Sequence, residues 1–298
     1  MIDFVKLHYT DKTKLETFIV DQKNYNELEM VFEESTGEIR YPFRTQIRNI
    51  QIVISKKIAH VKGSVHKHYN LVQLGKEQNY NDYTYSNFID TVNLLSPKII
   101  EFETTKITQL EMGFNLVSSI NPSNILNNNL VFHRVKIHNI DSPFKEEGKY
   151  IQYMYDQYYI KIYDKGLQND LVNQNILRFE VKFTSSKLLK NLGVTCVNDL
   201  KRKDVLRSLF EYTLNKFDEL VILDEFLEKT TITHEDKILL GKYTNNRFWK
   251  VDLLNKSRTT KSKHLKHFKE LINKHRLNSL SNELRCLLVE KFNYLLDN

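Results

Sequence analysis

The stretch Tyr158–Gly166, YYIKIYDKG, alternates between apolar and polar residues as a half-buried β-strand does. Side chains of a strand point alternately to its two faces, so the two isoleucines share one face, and Tyr159, Lys161 and Tyr163 share the other. The isoleucine face predicts packing against helices. A cation close to a tyrosine favours the ionised phenol, so Tyr163 with Lys161 and Lys165 suits a nucleophile that attacks phosphorus. Most tyrosines on strands, however, serve only in packing.

Two further strands place carboxylates on a polar face. In residues 109–116, every second residue is apolar, and Glu111 lies on the opposite face. In residues 177–183, the apolar positions alternate with Arg178, Glu180 and Lys182. If both strands join the Tyr163 strand in one sheet, a single polar face holds two carboxylates, several cations and a tyrosine. Each glutamate alone could instead be a solvated side chain, or could pair with a neighbouring cation.

Histidines accompany this face in a predicted strand from Ile58 to His68, where His66 and His68 alternate with apolar residues. Carboxylate oxygens with one or two imidazoles suit Mg²⁺ or Mn²⁺. A divalent ion beside a tyrosine is an arrangement for phosphoryl transfer. The alternative is that both histidines are ordinary polar-face residues.

The remaining pattern predicts an α+β fold: a strand-rich first part and a helical region from Ser185 to Asn298 with no strands. Further strands are predicted at Ile2–His8, Ile50–Ile54, Ile107–Val117, Tyr150–Tyr155 and Ile176–Phe183. One hairpin is predicted at Leu28–Arg40, turning at residues 35–37, and another joins Tyr150–Tyr155 to Tyr158–Tyr163 through a turn at residues 156–157. Helices are predicted at about Lys12–Val20, at Ser86–Leu95 with Ser86 as N-cap, and after Asn121.

Composition favours a polyanionic partner such as nucleic acid or an anionic membrane surface, although many basic proteins bind neither, because 44 Lys and Arg exceed 37 Asp and Glu and give a formal charge of +7. Cys196 and Cys286 form no metal-type motif and predict reduced thiols. The first residues are too charged for a signal peptide, and no apolar run is long enough to span a membrane. We therefore expect a cytoplasmic protein without a membrane partner.

The chain from about residue 229 to 298 is predicted to be a helical, basic DNA-binding region. Its apolar stripe consists of Leu265, Phe268, Leu271 and Ile272, which predicts an amphipathic helix. Cations cover the other side, and Lys263 and Lys266 are the predicted contacts to duplex phosphates. The alternative is a solvated helix face. Trp249 is expected in a core.

Several segments, taken in order, resemble the replication initiators of the filamentous-phage gene II type. These segments are Gly63–Lys67 (GSVHK), Asn81–Thr84 (NDYT), Leu110–Asn115 (LEMGFN), Ile160–Gly166 (IKIYDKG), Leu177–Glu180 (LRFE) and Leu188–Gly193 (LLKNLG). The start, Met1–Asp3 (MID), is also similar, and the resemblance covers roughly residues 1–200. It implies a central antiparallel sheet like that of the HUH-related tyrosine nickases, flanked by helices, in a catalytic domain of residues 1–228.

The resemblance also implies roles for individual residues. Tyr163 matches the family's catalytic tyrosine, and Lys165 follows it in the same motif. Glu111 matches the family's acidic residue, and Arg178 with Glu180 matches its arginine-X-glutamate strand. Many relatives have histidine where this chain has Lys62, which leaves His66 as the expected imidazole ligand.

The implied mechanism is rolling-circle initiation. Tyr163 attacks a phosphodiester of single-stranded origin DNA and keeps the 5′-phosphate, while Mg²⁺ or Mn²⁺ on Glu111, Glu180 and His66 polarises the scissile phosphate. Lys161 and Arg178 are expected to contact DNA. The implied partners are single-stranded and duplex origin DNA and the helicase and polymerase of a bacterial host. Tyr159 is a candidate second nucleophile. The alternatives are a non-catalytic DNA-binding protein and a metal nuclease that uses water.

Overall fold

The computed structural model describes residues 1–21, 41–137, 150–171 and 173–298. The strands are β1 (Ile2–Tyr9), β2 (Phe43–Ile47), β3 (Ile50–Ile54), β4 (Ala59–Ser64), β5 (Lys106–Val117), β6 (Leu130–His133), β7 (Tyr150–Met154), β8 (Tyr158–Asp164), β9 (Ile176–Phe183) and β10 (Leu220–Ile222). The α-helices are α1 (Thr13–Val20), α2 (Val65–Gln73), α3 (Tyr85–Leu95), α4 (Pro122–Asn124), α5 (Lys165–Gln168), α6 (Ser186–Asn191), α7 (Lys203–Asp218), α8 (His234–Thr244), α9 (Arg258–Lys274) and α10 (Ser279–Asp297). The predicted hairpin at Leu28–Arg40 lies outside the described residues.

Eight strands form one antiparallel sheet in the order β2-β3-β4-β1-β5-β9-β8-β7. The α+β prediction with a central antiparallel sheet is therefore confirmed. The predicted strands at Ile50–Ile54 and Ile176–Phe183 have the observed bounds, and β7 and β8 form the predicted hairpin. The three strands with the predicted polar faces, β5, β9 and β8, are neighbours, so their polar residues do share one face.

The prediction of a strand through His68 is wrong. The chain leaves β4 at Ser64, whose side chain caps α2 by accepting a hydrogen bond from the Lys67 backbone N–H at 3.1 Å. His66 and His68 consequently lie on a helix. The expected N-cap Ser86 is also corrected, because Thr84 caps α3 two residues earlier.

The apolar face of the sheet packs against α7 and α10. Phe210 of α7 stacks on Phe292 of α10 with ring centroids 3.9 Å apart, and Phe114 of β5 meets Phe210 edge-on at 5.6 Å. The inward leucines of α10 belong to the same core. The last helix of the chain therefore supports the sheet directly.

A second core is built from α8, α9 and the small sheet of β6 and β10. The predicted apolar stripe of α9 is confirmed, because Phe268, Leu271 and Ile272 are buried there, and Trp249 is a core residue as expected. The prediction of only helices and loops after Ser185 misses β10, a strand of three residues, because so short an apolar run has no readable period. The functional division after residue 228 stays a prediction, but a truncation there would remove α10 from the main core.

Within residues 1–21, 41–137, 150–171 and 173–298, none of the helices combines the length and apolar character needed to cross a membrane.

Candidate active site

Three buried carboxylates converge on the polar face of the sheet. Asp3 comes from β1, Glu111 from β5 and Glu180 from β9, which are consecutive strands. Each contributes an oxygen atom, and these atoms all lie within 4.8 Å of one another. We call this group the carboxylate cluster. Sequence parity predicted Glu111 and Glu180 on this face, and the structure brings them together.

Asp3 is a functional candidate that the pattern of the sequence missed. In strict alternation Asp3 would share the face of Val5 and Leu7, both of which are buried in the core. The register of β1 against β5 shifts between Ile2 and Phe4, so Asp3 is the extra residue of a β-bulge. The bulge turns the carboxylate of Asp3 to the polar face.

The signals for Asp3 in the sequence are an acid within the apolar start of a strand and the similarity of Met1–Asp3 to the start of the gene II type initiators.

Three cations pair with the three carboxylates. Nζ of Lys161 lies 2.9 Å from Oε1 of Glu180 and 3.4 Å from Oε1 of Glu111. Nζ of Lys182 lies 2.8 Å from the same oxygen of Glu111. Arg178 binds Asp3 through Nη2 and binds Oε2 of Glu180 through Nε at 2.8 Å. Charges within the cluster are thus balanced by side chains of this chain.

Arg178 does not suit the predicted role of a DNA contact. Its side chain is 2% exposed, and besides the two carboxylates it donates to Oδ1 of Asn115 at 2.9 Å. Gly113 makes room for it, because a Cβ atom there would lie 2.7 Å from Nη2 of Arg178. A guanidinium that is buried and hydrogen-bonded in this way holds the carboxylates in place.

Tyr163 projects into the same site. Its hydroxyl donates to Oε2 of Glu180 at 3.5 Å, and the residue is 8% exposed. Burial and then the charge of Glu180 raise the pKa of Tyr163 well above the ordinary phenol value, against the opposing effects of Arg178 and Lys161. The nearby cations Arg178 and Lys161 do favour the ionised phenol, but desolvation outweighs them, so the pKa is raised overall.

Lys165 lies at the start of α5, directly after the Tyr163 strand. Asp164 caps this short helix by accepting from the backbone N–H of Leu167 at 2.9 Å. Nζ of Lys165 donates to Oε1 of Gln168 at 2.8 Å and lies 5.6 Å from the centroid of the Tyr163 ring. Burial and then the charge of Arg178 lower the pKa of Lys165 to about 7. This amine can therefore take up or release a proton near neutral pH.

His66 is not one of the residues that form the carboxylate cluster. Its ring stacks on Tyr83 with centroids 4.6 Å apart, and Nε2 lies 3.0 Å from Oδ1 of Asn81. Burial lowers the pKa of His66 to about 3, so the ring is neutral. The prediction of His66 as a ligand assumed a strand, and the helix that begins at Val65 removes that alternation. Asp3, rather than His66, is the third residue of the group.

The remaining predicted site residues do not belong to the carboxylate cluster. Tyr159 shares the face of Tyr163 and lies opposite Lys182 in the β8–β9 pairing. Lys263 and Lys266 are exposed on α9, and Lys266 lies 3.8 Å from Glu270. These two lysines are accessible to a polyanion, and their contact with DNA stays a prediction.

The carboxylate cluster, Tyr163 and Lys165 line one cavity of about 730 Å³. Its donor set is suited to a hard divalent cation, because three carboxylates supply only oxygen ligands. Lys161 and Lys182 line the same cavity and contact the same carboxylates. The site therefore combines a phenol, a titratable amine and an acidic cluster that fits Mg²⁺ or Mn²⁺.

No protein-family model matches this sequence, and neither does any curated protein. Among solved structures, the rolling circle replication initiator protein from Geobacillus stearothermophilus is similar, with 12% sequence identity and a TM-score of 0.40. The alignment covers 77% of this chain and 88% of that chain. At this level the likeness carries neither an activity nor a residue role to this chain.

Proposed function

We propose that this protein initiates rolling-circle replication by nicking and rejoining single-stranded DNA through Tyr163. The observation that carries the proposal is the position of the Tyr163 hydroxyl, 3.5 Å from a carboxylate of a three-acid cluster, in a cavity lined by lysines. A phenol at an acidic cluster is suited to phosphoryl transfer rather than to packing.

The reaction is a transesterification. The phenol oxygen of Tyr163 bonds to the phosphorus of a phosphodiester, and the bond from phosphorus to the 3′-oxygen breaks. The 5′-phosphate stays on Tyr163, and the leaving oxygen takes a proton to become a 3′-hydroxyl. Since one phosphodiester replaces another, the reverse attack rejoins the strand without ATP.

Lys165 is the group suited to move the proton. At neutral pH Tyr163 is protonated, because burial and Glu180 raise its pKa. The pKa of Glu180 is lowered to about 2, chiefly by Lys161 and Arg178 against the effect of burial, so its carboxylate is a weak base. Lys165, with a pKa of about 7, is neutral in a large share of molecules. Its amine takes the phenol proton on nicking and returns it on joining.

Asp3, Glu111 and Glu180 are the residues that would hold Mg²⁺ or Mn²⁺. When bound, the ion would polarise the phosphoryl oxygen and stabilise the charge that develops there. Because Lys161 contacts Glu180 and Glu111, an ion held by these two carboxylates would compete with its ammonium group. Arg178 keeps Asp3 and Glu180 oriented from the buried side.

Duplex DNA next to the nick is the proposed ligand of α9. Lys263 and Lys266 lie on its exposed side, and the apolar side is anchored in the second core. Phosphate contacts of this kind position a protein on DNA without reading its sequence. The 3′-hydroxyl released by nicking would then serve the host polymerase, with the host helicase opening the duplex.

A denaturing gel tests the proposal. Purified protein is incubated with Mn²⁺ and a pool of single-stranded oligonucleotides that contain a randomised region, each labelled at its 3′ end. Nicking by Tyr163 gives a labelled band of covalent protein–DNA adduct, and sequencing of the trapped DNA reads out the preferred site. Cleavage without an adduct would identify a metal nuclease that uses water, and binding without cleavage would identify a DNA-binding protein.

A further inference from the structure

A second cavity of about 700 Å³ adjoins the active-site cavity. The two cavities share Lys6 of β1, Lys62 of β4 and Gln51 of β3, so they are continuous along the sheet. The second cavity extends from Lys6 on β1 across β4 and β3 to Arg44 on β2. We call it the basic groove.

The charge of the basic groove differs from that of the active site. Among the described residues, no carboxylate lines it, whereas four acidic residues line the active-site cavity. Its charged side chains are Lys6, Lys62 and Arg44, all positive. The groove thus offers cations without the acidic partners that balance the lysines of the carboxylate cluster.

Two of these cations are directly opposed. In the β1–β4 pairing Lys6 lies across from Lys62, and like charges in that relation destabilise a sheet. Burial and then the charge of Lys6 lower the pKa of the nearby His60, which agrees with a positive field in the groove. A bound anion would relieve the repulsion between the two ammonium groups.

The groove is also aligned with the site of chemistry. Lys6 pairs with Gln109 of β5, and Glu111 lies two residues further along that strand. Two residues of a strand span about 7 Å, which is close to the length of one nucleotide of extended backbone. A strand cleaved at the carboxylate cluster could therefore place a neighbouring phosphate at Lys6.

We propose that the basic groove binds the sugar-phosphate backbone of the single DNA strand beside the cleaved bond, through Lys6, Lys62 and Arg44. The inference rests on the proposed function, since it names the path of the same substrate. Cations along a groove are the general means by which proteins hold single strands without reading their sequence.

The test measures binding of fluorescein-labelled oligothymidine by anisotropy at several salt concentrations. All variants carry Tyr163→Phe, and no divalent ion is added, so nicking plays no part. The variants are Lys6→Gln, Lys62→Gln, the two combined, and Arg44→Gln. The matched control is Lys57→Gln, which removes the same charge from the exposed turn between β3 and β4.

Removing one cation that binds a phosphate should lower the log-log salt slope by about 0.7 for a single strand. The double variant should show about twice that reduction, and the control should show none. The double variant should melt no lower than the parent, because it removes the repulsion between two like charges on paired strands. Arg44→Gln, on an exposed side chain of β2, gives a second measure that does not depend on the Lys6–Lys62 pair.

Slopes equal to that of the control would overturn the inference. The same holds if, in the same anisotropy assay with a labelled duplex, the variants lose binding to duplex DNA but keep binding to oligothymidine. Failure of the proposed function has a different signature: no adduct forms on the denaturing gel, whatever the groove variants do in anisotropy.

Discussion

Nζ of Lys161 lies 2.9 Å from Oε1 of Glu180, its direct cross-strand partner in the β8–β9 pairing. The same nitrogen is 3.4 Å from Glu111, so one ammonium group bridges two members of the carboxylate cluster. Burial by itself lowers the pKa of Lys161, but Glu180 and Glu111 together raise it above the ordinary lysine value. The lysine is therefore charged, and a divalent ion bound by these carboxylates would have to compete with it.

Lys161→Met should consequently bind Mn²⁺ more tightly than the parent protein. A hydrogen bond to a charged group contributes about 1.5–3 kcal/mol, so removal of this competitor should raise the affinity about tenfold or more. Isothermal titration calorimetry measures the change. Lys182→Met is the matched control, since Lys182 contacts only Glu111 of the three acids and should have a smaller effect. Unchanged or weaker binding by Lys161→Met would show that the ammonium organises the site instead.

Tyr163→Phe should bind DNA and Mn²⁺ normally but form neither a nick nor an adduct. The substitution deletes only the hydroxyl and keeps the ring, so the packing of the side chain should be nearly unchanged. Peptide mapping of the parent adduct should place the 5′-phosphate on Tyr163. The control is Tyr159→Phe, which should still trap DNA. An adduct on Tyr159 would transfer the nucleophilic role to that residue.

Asp3→Asn should lower Mn²⁺ affinity and nicking together, as should Glu111→Gln. The amide of Asp3→Asn keeps the shape of the side chain but removes the charge that pairs with Arg178, so about 2 kcal/mol of stability should also be lost. Asp82→Asn is the matched control, because Asp82 is exposed and pairs with Lys291 away from the cluster. If Asp3→Asn loses stability but keeps its metal affinity, then Asp3 only supports Arg178.

The nicking rate should rise as the pH increases through about 7, because the neutral amine of Lys165 is the form that accepts the Tyr163 proton. Single-turnover rates from pH 5.5 to about 8.5 test this. Lys165→Met should be slow at every pH and should lack the inflection. Lys67→Met, which removes another lysine from the lining of the same cavity, should keep it. A rate that falls above pH 7 would assign Lys165 the opposite role, as the acid.

Stability gives a second readout for Lys165. The folded-state pKa is lowered to about 7 from 10.5, so the unfolded chain binds more protons between these values and stability rises with pH across that window. The penalty for the buried ammonium is present in full below about pH 7. Lys165→Met should therefore raise the melting temperature most at or below neutral pH, with a gain that shrinks towards pH 10.5. A gain independent of pH would contradict the buried-amine interpretation.

Lys263→Gln and Lys266→Gln should weaken binding to duplex DNA while nicking of single strands continues. Each substitution that removes a phosphate-binding cation should lower the salt slope by about 0.9. Substitutions are preferable to truncation here, because α10 lies in the main core beneath the sheet. Lys187→Gln on α6, an exposed lysine of the first region, is the control. If nicking of single strands decreased as much as binding to duplex DNA, the helical region would also contribute to the nicking reaction, contrary to the prediction.

Local alternation determined which residues of β5, β8 and β9 share a face. The period of two is a property of the extended backbone itself, so Glu111, Glu180, Lys161 and Tyr163 could each be assigned to the polar face of a strand, and the sheet order then brought them together. Helical spacing in the same way predicted the buried side of α9, with Phe268 at its centre.

Tertiary structure decided the rest. Asp3 enters the cluster through a bulge that exists only because β1 pairs with β5, and strict parity would have placed it in the core. His66 leaves the face because a serine cap starts a helix within an alternating run. The burial of Arg178 and the raised pKa of Tyr163 depend on desolvation by distant segments. The local sequence determines which face of a strand a side chain occupies. Bulges, burial and the balance of charges depend on contacts between residues far apart in sequence.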